Sequence, residues 1–294
     1  MEDGTRSAQW DCTRTDITQD SIGSTMHWKR WITALIGLPL LILLILKGGA
    51  TLFSLTISGA AIIALWEYYR IVFAGHAPVP FYSSLWSYAA GAAIVWVLPT
   101  HGFKALVALV IVHFIGAAFF SIRRFAHAQD APVVALKQVF GILYIPVCLA
   151  FLGLLYNAAD GIHWVFLLLL VVAAGDTGAF YVGSYLGRHK LAPAVSPKKT
   201  IEGAIGGLTA NLIACLVYSR LFLPDLSTAG GIIFALGVGI VGQAGDLFES
   251  EFKRVAGVKD SGTLLPGHGG FLDRMDALIF AAPIAYLIKE YLPA

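Results

Sequence analysis

Long apolar runs separated by short polar breaks occupy most of the chain from Trp31 onward. Each run lasts about 16–24 residues, and an α-helix needs about 20 apolar residues to cross the hydrocarbon core of a bilayer. The pattern therefore predicts nine membrane-spanning helices. The predicted spans are 31–46, 49–67, 81–99, 103–122, 133–156, 162–183, 203–223, 229–248 and 273–289.

The runs are typical of helices rather than of a transmembrane barrel. A barrel strand alternates lipid-facing and lumen-facing residues, whereas the run LPLLILLIL at 38–46 shows no alternation. Unpaired backbone groups are too costly in lipid, so each span must satisfy its own hydrogen bonds as a helix. The first two spans are short and are separated only by Lys47-Gly48-Gly49, which leaves a tight hairpin as an alternative for that region.

The composition indicates the same class of protein. Hydrophobic residues make up 57% of the chain, charged residues 13%, and the mean hydropathy is +0.75. A soluble domain carries about 25% charged residues, so this chain has too few to cover a water-facing surface. Its aromatic content of 12% suits a protein anchored at two membrane–water interfaces. We predict an all-α integral membrane protein, a polytopic bundle of about nine transmembrane helices.

Charge and cysteine content exclude several other functions. A net charge of +2 gives no case for a nucleic-acid partner, which would require a clustered basic face. Cys12, Cys148 and Cys215 are too far apart in sequence to indicate a disulfide framework or a metal site.

The chain divides into three predicted regions. Residues 1–27 are polar and contain no apolar core of a signal peptide, so we predict a polar N-terminal tail. Residues 28–160 hold the first transmembrane helices, and residues 161–294 form a candidate catalytic transmembrane region.

Basic residues are unevenly distributed between the two sides of the predicted bundle. With the N-terminus in the cytoplasm, sixteen of the 20 Lys and Arg residues fall on inside segments. The outside segments hold only Lys47, Lys104, Arg220 and Lys289. Such a bias is typical of the cytoplasmic side. We predict a protein of the bacterial cytoplasmic (inner) membrane, with its N-terminus inside and its C-terminus outside.

Two connections differ from the others in being long and charged, and both contain glycine. They cover 183–203 and 245–276, and the predicted topology places both on the cytoplasmic face. Binding and catalytic residues commonly lie on such loops, so we predict an active site at this face. The acidic residues at the adjoining helix ends are Asp176, Asp246, Glu249, Asp273 and Asp276.

These carboxylates predict a cation site. Ionisable groups at membrane depth usually mark function, and Mg²⁺ is typically held by one or two carboxylates together with substrate phosphates. We expect Asp246 and Asp273 to hold the ion, with Glu249 and Asp276 around them or at a second cation. Two alternatives remain: Asp273 and Asp276 as helix N-terminal caps, and Asp176 and Asp246 as structural ion-pair partners.

Basic and hydroxyl side chains lie in the same two loops as the acids. Acidic and basic groups crowded together suit a metal-bound polyphosphate. The alternative for the basic residues is that they only set the membrane orientation. The residues concerned are Ser196, Lys198, Lys199, Thr200, Lys253, Arg254, Lys259 and Arg274.

The segment 250–276 resembles the signature of the phosphatidate cytidylyltransferases, also called CDP-diacylglycerol synthases. Two upstream segments, 174–180 and 196–203, are similar to further segments of that family. The resemblance covers roughly 170–290, while the first spans match only in being apolar. The signature elements are Ser250, Phe252-Lys253-Arg254, Lys259-Asp260, His268-Gly269-Gly270, Asp273-Arg274 and Asp276.

The resemblance implies the reaction of CTP with phosphatidate to give CDP-diacylglycerol and pyrophosphate. The resemblance to this family also implies a homodimer. It places Mg²⁺ on Asp246 and Asp273, with a monovalent cation, K⁺, adjacent. Asp246, Asp273, Asp276 and Lys259 are then the expected catalytic residues, and Asp176 and Glu249 further metal ligands. The expected CTP or headgroup contacts are Ser196, Lys198, Lys199, Thr200, Lys253, Arg254, His268 and Arg274, with His268 a phosphate contact or loop-fixing group rather than a general base.

Three other functions can be compared with these motifs. A CDP-alcohol phosphotransferase would need an Asp-Gly-x-x-Ala-Arg stretch, and the sequence has none. A polyprenol kinase, which is also a lipid-linked phosphotransferase, is a second alternative function. A transporter would favour an inverted repeat, whereas the intramembrane acids described above are confined to the C-terminal half. The sequence favours cytidylyl transfer to phosphatidate.

Overall fold

The computed structural model describes residues 35, 37–264 and 269–291, and these residues are predominantly helical. The polar tail and the beginning of the first predicted span lie outside them. The helices are α1 Gly37–Lys47, α2 Gly49–Val72, α3 Phe81–Phe125, α4 Ala131–Ile142, α5 Cys148–Asn157, α6 Gly161–Leu186, α7 Ile201–Phe222, α8 Thr228–Val255 and α9 Leu272–Tyr291, with a π-helical turn Leu143–Val147 joining α4 to α5.

Helix length and hydropathy confirm that this is a membrane-type protein. Among the described residues, six helical segments are long and apolar enough to cross a bilayer, with the continuous segment Ala131–Asn157 counted as one. Many large apolar side chains on their outer faces are exposed. Lipid would cover such a surface, whereas monomeric soluble proteins rarely leave large contiguous apolar patches uncovered.

The 45-residue α3 reverses direction at Gly102, where the backbone has a φ of 77°. This left-handed conformation is readily adopted by glycine. On either side of it the two halves contact each other: the Trp86 indole N–H donates to the His113 carbonyl at 3.4 Å, and the rings of Tyr82 and Phe120 lie 5.3 Å apart. α3 is therefore a helical hairpin, and its turn falls in the gap predicted between 81–99 and 103–122.

A two-stranded antiparallel hairpin corrects the all-α prediction. β1 Lys190–Ala192 pairs with β2 Ser196–Thr200 inside the segment 183–203, which was predicted as a loop. Glu202 anchors its base by accepting hydrogen bonds from the Arg188 amide at 3.0 Å and from His189 Nδ1 at 2.6 Å. The apolar pattern could not reveal this hairpin because its strands are short, polar and mostly exposed.

Small residues bring the C-terminal helices close together. A β-carbon at Gly178 on α6 would lie 2.6 Å from the Ala210 β-carbon on α7, and one at Gly245 on α8 would lie 2.6 Å from the Asp276 carbonyl on α9. Small residues allow such close backbone approach in membrane helices. These contacts involve or adjoin Asp176, Asp246 and Asp276. They bring the three carboxylates to one end of the bundle.

Candidate active site

A cavity of about 390 Å³ lies between α6, the β-hairpin, α7 and α8. Its charged lining residues are Asp176 from α6, Lys198 and Lys199 from β2, and Asp246 from α8. The first turn of α7 also lines it, and Thr200 caps that turn by accepting a hydrogen bond from the Gly203 amide at 3.1 Å. A helix N-terminus favours negative charge, so lysines and backbone dipoles here both favour an anion.

Two acids that line this cavity, Asp176 and Asp246, interact with Asp276 on α9, and we call these three residues the open cluster. The charges of Asp176 and Asp276 each interact unfavourably with that of Asp246, and with each other. Lys199 forms an ion pair with Asp246, with Nζ 2.5 Å from Oδ2. Lys199 and Arg274 attract Asp176, and Lys253 attracts Asp276, so basic groups partly offset the repulsion among the three carboxylates.

A second group, which we call the closed cluster, lies beside it and consists of Glu249, Lys253 and Asp273. Lys253 forms ion pairs with Glu249 and with Asp273, the latter at 2.6 Å between Nζ and Oδ1. The other Asp273 oxygen, Oδ2, accepts hydrogen bonds from the backbone amides of Ser261 and Gly270, both at 2.9 Å. Both oxygens of Asp273 therefore already have donors.

Glu67 on α2 is connected to the closed cluster through Ser261, although sequence reasoning did not select it. Its side chain is fully buried, and its Oε2 accepts hydrogen bonds from the Ser261 hydroxyl at 2.9 Å and from the Leu272 amide at 2.7 Å. The signal in the sequence was a lone carboxylate inside an apolar span. Such a residue usually marks function.

The remaining predicted residues have different environments. Arg254 donates from Nε to the Val195 carbonyl at 2.8 Å, which joins the end of α8 to the β-hairpin. The two loops predicted from the sequence are therefore in contact. Ser196 is half-buried at the start of β2, Lys259 and Arg274 are exposed, and His268 lies outside the described residues.

The donor chemistry of the open cluster fits a hard cation. Carboxylate oxygens are the ligands that Mg²⁺ prefers, and a divalent ion would neutralise the repulsion between Asp176, Asp246 and Asp276. Within 37–264 and 269–291, no group of three or more His, Cys, Asp or Glu side chains is arranged to hold a metal ion. Binding one would thus require these side chains to close around it. At Asp273, a cation would share the carboxylate with Lys253.

The sequence was compared with known proteins. It matches the cytidylyltransferase family over residues 28–292. It is 35% identical over 270 residues to a phosphatidate cytidylyltransferase of Staphylococcus haemolyticus (strain JCSC1435), covering 88% of this chain and 97% of the relative. The enzyme of the same name from Staphylococcus aureus (strain COL) is 35% identical over 271 residues, with the same coverage. The match to that of Staphylococcus saprophyticus subsp. saprophyticus is 42% identical over 144 residues, or 48% of this chain and 55% of the relative.

Proposed function

The chain belongs to the cytidylyltransferase family, and we propose that the cavity beside the open cluster is where it performs the reaction for which its relatives are named. The protein transfers the cytidylyl group of CTP to phosphatidate, giving CDP-diacylglycerol and pyrophosphate. The observation that carries the assignment of the site is the pairing of Lys199 with Asp246 inside one cavity. It supplies a cation for phosphate oxygens and a carboxylate for a metal ion.

The reaction needs positioning and charge neutralisation more than proton transfer. An oxygen of the phosphatidate phosphate, already an anion, attacks the α-phosphorus of CTP. The bond from that phosphorus to the α–β bridging oxygen breaks, and its electrons leave with pyrophosphate. Lys198 and Lys199 bind phosphate oxygens and orient CTP, and the first turn of α7 adds its dipole. Placing the two reactants in line at this cavity accounts for much of the expected acceleration.

The open cluster would hold Mg²⁺ through Asp176, Asp246 and Asp276. A bound Mg²⁺ supplies a Lewis acid that withdraws charge from phosphoryl oxygens. Asp273, also predicted as a ligand, pairs with Lys253 through Oδ1, so a cation bound there would share this carboxylate with Lys253. The second cation, K⁺, and the homodimer stay predictions of the family resemblance.

We propose that the protein crosses the membrane nine times, with the N-terminus and the cavity on the cytoplasmic side. Counting the halves of α3 separately and α4 with α5 as one span yields nine helical segments, α1 included. The charge bias of the loops favours this orientation. CTP then arrives from the cytoplasm, while phosphatidate stays in its leaflet and reaches the cavity at headgroup depth. Relatives from bacteria fit a cytoplasmic-membrane location.

The reaction can be tested with the full-length protein in detergent micelles. With phosphatidate present, CTP labelled at the α-phosphorus should give a lipid-extractable product, and CTP labelled at the γ-phosphorus should release its label as pyrophosphate. Diacylglycerol, which lacks the attacking phosphate, serves as the control and should give no product. Label from the γ-phosphorus in the lipid fraction would indicate a lipid kinase and contradict the assignment.

The orientation can be tested by cysteine labelling. In a variant without Cys12, Cys148 and Cys215, a single cysteine at Ser196 should react with a membrane-impermeant thiol reagent only after the cells are opened. A cysteine at Asp160, in a short loop on the predicted outside, should react in intact cells. The opposite pattern would reverse the topology, and cytoplasmic CTP would no longer reach the cavity.

A further inference from the structure

We infer that Glu67, which lies on α2 far from the signature segment in sequence, is a positioning residue for cytidylyl transfer. Its carboxylate holds Ser261 and Leu272, the two ends of the segment 261–272, of which 261–264 and 269–272 are described, and so sets the location of Asp273 and of the start of α9. The inference rests on the proposed function, because its effect is exerted on the acids placed at the proposed active site. Glu67 itself does not line the cavity.

Two hydrogen bonds connect Glu67 to opposite ends of that segment. The Ser261 hydroxyl donates at one end and the Leu272 amide at the other, and both bonds fall on the same oxygen, Oε2. The Ser261 hydroxyl also accepts from the Asp273 amide at 3.3 Å. A single buried oxygen thus links α2, the segment and the first turn of α9.

Two glycines leave the space that the carboxylate occupies. A β-carbon at Gly262 would lie 2.3 Å from Glu67 Oε1, and one at Gly270 would lie 2.7 Å from Oε2. Both distances are shorter than any ordinary van der Waals contact. At Gly270 a β-carbon would lie closer still to the Ser261 hydroxyl oxygen, at 1.9 Å, so a side chain at either position would displace Glu67 or Ser261. Gly262, Gly270 and the carboxylate therefore pack closely where Ser261 and Leu272 also donate hydrogen bonds.

The effect of Glu67 reaches the reaction through α9. Asp273, whose carboxylate pairs with Lys253, begins this helix, and Asp276 of the open cluster follows one turn later. A shift of about 1 Å in groups that orient reactants can cost a hundredfold in rate. The β2 lysines that we assign to CTP phosphates are outside the contacts of Glu67. Its loss should therefore lower kcat and leave the KM for CTP nearly unchanged.

Conservative and non-conservative replacements separate positioning from charge. Glu67→Gln keeps one carbonyl oxygen, which is sufficient because both hydrogen bonds use Oε2, and should retain kcat within about threefold of wild type. Glu67→Ala leaves the Ser261 hydroxyl and the Leu272 amide without their acceptor and should lower kcat at least about tenfold. Ser58→Ala is the matched control, since Ser58 is a buried polar residue on the same helix and should retain wild-type kcat.

The measurements are kcat and KM for CTP with the purified full-length proteins in phosphatidate micelles, together with amide hydrogen exchange in 269–273. Glu67→Ala should accelerate this exchange, whereas Glu67→Gln should not. A folded Glu67→Ala with wild-type kcat, or a folded Glu67→Gln as impaired as Glu67→Ala, would overturn the inference.

If Glu67→Ala does not fold, Ser261→Ala decides. It removes one of the two bonds and should lower kcat about threefold at unchanged KM for CTP; wild-type kcat in this variant would overturn the inference. Failure of the proposed function is a separate result: wild type and Ser58→Ala would then both lack product. In that case the amide exchange rates of 269–273 alone test whether Glu67 positions these residues.

Discussion

The open and closed clusters contain similar side chains in contrasting environments. In the open cluster Asp246 is 32% exposed and has one lysine partner while facing two further carboxylates. In the closed cluster Glu249 is fully buried, and Lys253 stands between it and Asp273. Carboxylates that are held by a shared lysine and by backbone amides stabilise an arrangement, whereas carboxylates that repel one another beside a cavity favour the arrival of a cation. We therefore assign ligand binding to the first cluster and architecture to the second.

The largest expected effect tests the open cluster. Asp246→Asn keeps the size of the side chain but removes a charge from the proposed cation site, and kcat should fall at least about a thousandfold, equivalent to about 4 kcal/mol of transition-state stabilisation. The thermal midpoint should not fall, because the change also relieves repulsion with Asp176 and Asp276. Activity should likewise disappear when wild-type protein is treated with a chelator, and return with Mg²⁺.

Glu251→Gln is the control for that change. Glu251 is exposed on the same helix and does not line the cavity, so its replacement should leave kcat near the wild-type value. Near-normal activity of Asp246→Asn with Mg²⁺ would show that Asp246 serves only as the partner of Lys199.

The closed cluster should respond mainly in stability. Lys253→Met leaves Glu249 and Asp273 without their shared cation, and removing one partner of a buried pair costs about 3–5 kcal/mol. We expect a loss near the lower limit, because the two carboxylates can take up protons. Thermal unfolding in micelles should therefore show a clearly lower midpoint for Lys253→Met.

A double variant distinguishes the ion pair from packing. Glu249→Gln combined with Lys253→Met removes both charges of one pair, so it should unfold at a higher temperature than Lys253→Met alone. If the double variant is less stable than the single one, the methylenes of Lys253 rather than its charge support the cluster.

A smaller effect, confined to binding, is expected at Lys199. Lys199→Ala removes one charge-assisted phosphate contact and should weaken CTP binding about ten- to a hundredfold, or about 1.5–3 kcal/mol. Direct binding of CTP is the measurement, because KM equals the dissociation constant only when chemistry is slow. Lys190→Ala, on the neighbouring strand and outside the cavity lining, should bind as wild type does. Equal losses in both variants would mean that the lysines act only through the overall charge of the hairpin.

The sequence predicted those features that local chemistry dictates. Apolar runs predicted the spans, because lipid requires apolar side chains and helical hydrogen bonding along each crossing. The sequence did not predict which acids belong to the open cluster and which to the closed cluster. The spacing of Asp273 and Asp276 puts them on one helix face. The Ser261 and Gly270 amides and Lys253 nevertheless hold the Asp273 side chain in the closed cluster, while Asp276 faces Asp246.

Contacts between distant parts of the chain account for the other site features that the sequence did not predict. Glu67 is 194 residues from Ser261, and no local pattern connects two positions so distant in the chain. The contact between Arg254 and Val195 likewise depends on how α8 packs against the β-hairpin. From the sequence, Arg254 was expected to contact CTP or the lipid headgroup, and this stays a prediction; its Nε donates to the Val195 carbonyl.

The smallest expected effect concerns the charged residues around Asp130 at the membrane surface. They form ion pairs, as the closed cluster does, but they are less buried. Asp130 lies between α3 and α4, outside the spans, and contacts His76 Nδ1 at 2.8 Å and Arg124 at 3.3 Å. Partial loss of hydration raises the pKa of Asp130. The hydrogen bond with His76 and the charge of Arg124 together lower it by more, so the pKa of Asp130 lies below its ordinary value. A carboxyl group whose pKa is lowered by folding stabilises the folded state above its unfolded pKa, and that contribution disappears as the pH falls through the folded pKa. Asp130→Asn should therefore lower the thermal midpoint slightly at pH 7, and the difference from wild type should vanish in strong acid, with Asp225→Asn in an exposed loop as the control that shows no difference. A deficit that grows as the pH falls below the ordinary aspartate value would show that the carboxylate charge is not the source of the stabilisation.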